Sequence, residues 1–130
     1  MPDALQIRID AQAAIRALSQ QIPAQVQSIV DRVLEETAKA IYEDSRAECP
    51  VDTGFLRDSA YMIDRGPAGA RYWAVGYDAF YAWQVHENPK AGQRLGVGTW
   101  KWLETAFAYH TARLPIALAE ALRRGLRGGR

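Results

Sequence analysis

Residues 50–77 read PVDTGFLRDSAYMIDRGPAGARYWAVGY, and the second half of this stretch sets the fold class. Ala60–Arg65 and Ala70–Tyr77 are rich in aromatic and branched side chains, with the turn formers Gly66-Pro67-Ala68-Gly69 between them. Two such runs across a short turn predict an antiparallel β-hairpin. The first half predicts a rigid capped turn. Asp52 and Thr53 can cap through their side-chain oxygens, and Gly54 permits positive φ. Leu56 then points inward, and Arg57 and Asp58 face water or a partner.

Upstream, Pro23 suits the first turn of a helix, where its missing N–H would be unpaired anyway. Val26, Ile29, Val30, Val33, Thr37, Ala40 and Ile41 recur every three or four residues, predicting a helix to about Glu48 with one buried stripe. Pro50 ends it by disfavouring helical geometry at Cys49. Charge pairs such as Arg32–Glu36 and Glu35–Lys39 add only about 0.2–0.5 kcal/mol each, so burial holds this helix. Nearer the start, Leu5, Ile7 and Ile9 alternate with Gln6, Arg8 and Asp10, the period of a half-buried strand. A small amphipathic helix is expected over Ala11–Gln21, with Ile15 and Leu18 on one side.

Downstream, six of the thirteen aromatic residues fall within residues 72–83, a dense supply of core or contact surface. A short helix over Phe80–His86 follows, then a mobile loop over 88–98, where Pro89, Gly92, Gly96 and Gly98 leave no apolar period. Leu103, Phe107, Leu114, Leu118 and Leu122 predict a last helix from about Thr99 to Arg124, kinked or broken by Pro115. A basic tail is expected over 123–130. The fold expected is α+β: a single domain, 1–130, with a long N-terminal and a C-terminal helix packed on a small antiparallel sheet containing a hairpin.

At 130 residues the chain has no room for a two-domain enzyme, and its 48% hydrophobic and 24% charged residues exclude a disordered one. The single cysteine cannot form an internal disulfide, so an oxidising compartment has no support and the cytosol is the default. No membrane is expected as a partner. No stretch approaches the roughly 20 apolar residues that span a bilayer, and Met1-Pro2-Asp3-Ala4 lacks a signal-peptide pattern. The net charge of +1 conceals an asymmetry: residues 1–60 carry six Lys and Arg against ten Asp and Glu, net −4, while residues 61–130 carry ten against five, net +5.

Chemistry-bearing patterns are few. Cys49 with His86 or His110 is the one nucleophile arrangement to consider; sequence does not show that either histidine reaches the thiol, and a lone Cys at a helix end more often serves as a small buried apolar group. His86-Glu87 are adjacent, not at the i,i+4 spacing of a helical metal site, and no paired cysteines occur. Gly92–Gly98 lacks the Gly-Lys-Ser/Thr ending of a phosphate-cradling loop. Catalytic, cofactor-binding and metal residues are therefore expected to be none. Arg123, Arg124, Arg127 and Arg130 follow the last acid, Glu120, and suit either a phosphate backbone or the dipole of a helix end.

The run Pro-x-Asp-Thr-Gly-x-Leu-Arg-x-Ser at Pro50–Ser59 resembles the signature of small head–tail joining, tail-completion or minor capsid (neck) proteins of long-tailed bacteriophages and phage-like gene transfer particles. The resemblance continues through Val75-Gly76 and Tyr81-Ala82. Further blocks stand at Val85-His86-Glu87-Asn88 and Lys101-Trp102-Leu103-Glu104-Thr105-Ala106, so the match covers about residues 25–110. It implies a non-enzymatic virion subunit that closes the head–tail joint, found in host cytoplasm during assembly. Its partners would be copies of itself in a ring, with a hexamer expected, neighbouring connector and tail proteins, and duplex DNA in the lumen near the terminal arginines. Asp52, Thr53, Gly54, Leu56, Arg57, Ser59, Tyr81, Ala82, His86 and Glu87 become the assembly residues. The aromatic segment, an unpaired sheet edge and oppositely charged halves suit subunits meeting head to tail. The alternatives are a small DNA-binding adaptor and a cysteine-dependent enzyme.

Overall fold

The computed structural model describes residues 5–9, 24–51, 54–65, 72–90 and 100–128. Along them run β1 (Leu5–Ile9), α1 (Ala24–Glu48), α2 (Phe55–Asp58), β2 (Ala60–Arg65), β3 (Tyr72–Tyr77), α3 (Ala82–His86), α4 (Trp102–Ala112) and α5 (Leu114–Gly128). The fold is α+β, with α1 packed against the sheet and against α4 and α5. The helix expected over Ala11–Gln21, Pro23, Asp52, Thr53, the Gly66–Gly69 turn, residues 91–99 of the loop and Arg130 lie outside the described residues.

β2 and β3 pair antiparallel, from Ala60 opposite Tyr77 to Arg65 opposite Tyr72, as the hairpin expectation requires. β1 pairs with the other edge of β3, from Leu5 opposite Tyr77 to Ile9 opposite Trp73, so β3 is the central strand. Alternation sends Leu5, Ile9, Val75 and Tyr77 into the main core, beside Val30, Leu34, Ala38 and Ile41 of α1 and Trp102 and Leu103 of α4. On the far face Gly76 is required. A Cβ there would run into the Tyr61 hydroxyl and the Leu5 carbonyl oxygen, and the Gln6 side-chain amide reaches across the site to donate to Tyr61 Oη at 3.0 Å.

The buried surface of α1 is wider than one stripe. Leu34, Ala38 and Ser45 are buried in addition to the predicted Ile29, Val30, Val33 and Ile41. The helix serves two cores, one against the sheet and α4, and a second in which Ile29 and Val33 meet Ala121 of α5. Buried Ser45 is satisfied by a 2.7 Å hydrogen bond shared with the Tyr77 hydroxyl.

The C-terminal region departs from a single kinked helix. α4 ends at Ala112, Arg113 turns, and Pro115 sits in the first turn of α5, where its missing N–H costs no hydrogen bond. α4 begins at Trp102 rather than near Thr99, because Lys101 has φ 53° and leaves helical geometry. α5 runs through Gly128, so Arg123, Arg124 and Arg127 stand on a helix rather than in a tail. Packing explains the extension: Ala121 is buried against α1, and the Gln25 side-chain amide donates to the Gly125 carbonyl at 3.3 Å.

Candidate assembly surface

The turn after α1 is built on Gly54, whose φ of 91° is open to glycine and strained for side-chain-bearing residues. From there α2 makes one helical turn. The Asp58 N–H donates to the Gly54 carbonyl at 2.9 Å, and the Ser59 hydroxyl donates to the Leu56 carbonyl at 2.7 Å. Leu56 is buried, as expected. Asp58 faces water, while Arg57 is half-buried with its Nε shielded from solvent and unpaired. Arg57 is thus less open to water than Asp58.

β3 then leads back to this turn. The Asp78 N–H donates to the Ser59 carbonyl at 3.0 Å, which fixes Tyr81 beside Phe55 with ring centroids 6.1 Å apart. Phe80 stands edge-on to Tyr81 at 5.2 Å. Tyr81 and Ala82 part company: Ala82 is fully buried in the core, and Tyr81 is half-exposed between two phenylalanines. Phe55 is 57% exposed, Phe80 80% and Trp83 54%. Phe55 and Phe80 thus flank Tyr81 in solvent, and Trp83, stacked on His86, is exposed on the short helix that follows. The density of aromatics over 72–83 signals such a surface; the division between core and solvent depends on how the β3–α3 corner bends.

His86 has a role no local pattern reveals. It is buried, and its Nε2 accepts the Glu104 backbone N–H at 3.3 Å, so the ring caps the first turn of α4 from eighteen residues away. Nδ1 consequently carries the proton and donates to Glu87 Oε2 at 2.8 Å. The imidazole also meets the Trp102 ring at 4.9 Å, and the His86 carbonyl accepts the Lys101 N–H at 2.8 Å. Glu87 completes the clasp with a 3.1 Å ion pair to Lys101, which reaches Glu104 at 3.4 Å. Hydrogen bonds from His86 and then Lys101 hold the Glu87 carboxyl below its ordinary range, while its bond to Glu87 raises the Lys101 ammonium. His86 and Glu87 thereby hold the aromatic corner to α4.

The groups considered for catalysis are occupied elsewhere. The Cys49 thiol is buried beside the Pro50 carbonyl, and burial pushes its pKa up to about 12 against the opposing charges of Arg57 and Arg46. His110 Nε2 bonds to Asp44 of α1 at 2.5 Å, and His86 is held as described. A groove of about 230 Å³ between α1 and the last two helices carries both Glu36 and Arg124, so no single charge sign marks its occupant. Among the described residues no three His, Cys, Asp or Glu side chains are grouped as metal ligands, and no helix is long and apolar enough to cross a membrane. Arg123, Arg124 and Arg127 are exposed on α5. Compared with protein-family models, curated proteins and solved structures, the chain matches none.

Proposed function

We propose that this chain is a structural subunit of the head–tail joint of a tailed phage or phage-like particle, acting by binding and not by transforming a substrate. The observation that carries the reading is the convergence of separate motif blocks on one connected surface. Gly54–Ser59 touches Tyr81 through Phe55 and Asp78 through Ser59, and the same segment continues to His86 and Glu87, which grip Lys101 and Glu104. The outward side of that surface is aromatic and its inward side is scaffold, the division expected of an assembly contact. In this reading the subunit is arranged in a ring, where equivalent contacts add avidity.

Deleting the coding sequence from the particle-producing genome tests the proposal. Filled heads and free tails that fail to join, rescued by the chain supplied in trans, are expected; normal joined particles overturn it. The DNA-adaptor alternative draws on exposed Arg123, Arg124 and Arg127. Its signature is an affinity of the isolated protein for duplex DNA that falls steeply with added salt.

A further inference from the structure

α5 turns apolar side chains in two directions. Leu114, Leu118 and Ala121 pack toward α1. On the opposite side Ile116, Ala119, Arg123 and Leu126 follow at the i, i+3, i+7 and i+10 spacing of one stripe, all solvent-exposed, with Ile116 at 64% and Leu126 at 49%. A single exposed leucine needs no explanation, whereas apolar groups repeated at helical spacing along a helix of about 22 Å fit a helix that lies against a partner. The aromatic corner of Phe80 and Trp83 offers a receptive surface of the kind that anchors protein contacts. Within one chain α5 packs on α1 and α4, and Phe80 and Trp83 stay 80% and 54% exposed. The charges match as well: Arg123 lies within the α5 stripe, Asp78 is exposed two residues before Phe80, and neither has an ion-pair partner among the described residues.

From these two surfaces we infer that the outward face of α5 in one copy docks on the Phe80–Trp83 corner of the next, with Arg123 opposite Asp78. The contact joins unlike surfaces, so each copy offers one of each and the arrangement repeats, closing into a ring where the rotation permits. It names the surfaces through which subunits of the joint meet, and rests on the joint reading for the claim that they meet in a particle. It also assigns Arg123 to a neighbouring copy rather than to DNA.

Two substitutions at exposed positions, Phe80→Asp and Ile116→Asp, separate the two sides of the contact, with circular dichroism confirming that each variant folds. In sedimentation velocity at the highest soluble concentration, the wild type associates and each variant alone is monomeric. An equimolar mixture gives heterodimers and nothing larger, because one intact pair of surfaces remains. In a parallel series, Asp78→Arg and Arg123→Asp each weaken association about tenfold, and their combination in one chain restores it. A wild type that stays monomeric, a variant that associates normally, or a mixture without heterodimers overturns the contact. Such a result leaves the joint reading standing if the chain is present in particles; absence from particles ends that reading whatever the state in solution.

Discussion

Gly54, with its φ of 91°, is the residue on which the turn between α1 and the hairpin depends. Gly54→Val should cost about 1–2 kcal/mol or more through left-handed strain, read from the urea midpoint, while Gly54→Asn should cost less because asparagine visits that region. Cys49 makes a second prediction at this scale. Its native thiol stays protonated up to about 12, whereas an unfolded thiol ionises near the ordinary 9.0. The native state therefore holds the extra proton over that interval, so stability is whole below pH 9.0 and declines as pH rises toward 12, by at most about 1.4 kcal/mol per pH unit. Burial also pushes the Tyr77 phenol upward from 10.0, which steepens the decline above pH 10.0. Cys49→Ala should flatten the slope between those two values in denaturation series, and a slope unchanged by the substitution would refute the assignment. Gly54 and Leu56 were legible in sequence because turn chemistry is local. The partial burial of Arg57 was not, since it depends on tertiary packing.

Elements were legible where their pattern is local and obscure where a distant partner decides. The stripe from Val26 to Ile41 announces α1, but it cannot show that α5 covers a second side and buries Ile29 and Val33 separately from Val30 and Leu34. Alternation at Leu5, Ile7 and Ile9 announces a strand, yet its pairing with β3 rather than β2 comes from long-range packing. The start of α4 is set by the αL turn at Lys101 and capped by His86, eighteen residues from its acceptor bond, so no local cap signal marks it. The cap can be tested directly. His86→Ala should destabilise the protein by about 2–3 kcal/mol, since it strips a partner from a backbone donor and opens space against Trp102. The Glu104 amide should exchange its hydrogen faster, and His86→Gln, which keeps an acceptor, should recover part of both effects. Unaltered Glu104 exchange in the alanine variant would remove His86 as the cap.

For the molecule as a whole, the opposite charges of the two sequence halves are partly used within the chain, because acidic α1 packs against α4 and α5 and Asp44 bonds His110. What stays exposed is a smaller and sharper set: Phe55, Phe80 and Trp83, an outward helix stripe and the arginines of α5. Both apolar surfaces carry large side chains in water, the surfaces that the proposed assembly would cover. Localisation in purified particles tests that claim most directly, by fusing a small electron-dense or antibody-detectable tag to the chain and imaging intact virions. Label in several copies at the vertex where head meets tail is expected; particles that are fully joined and infectious yet hold none of this protein would overturn the proposal.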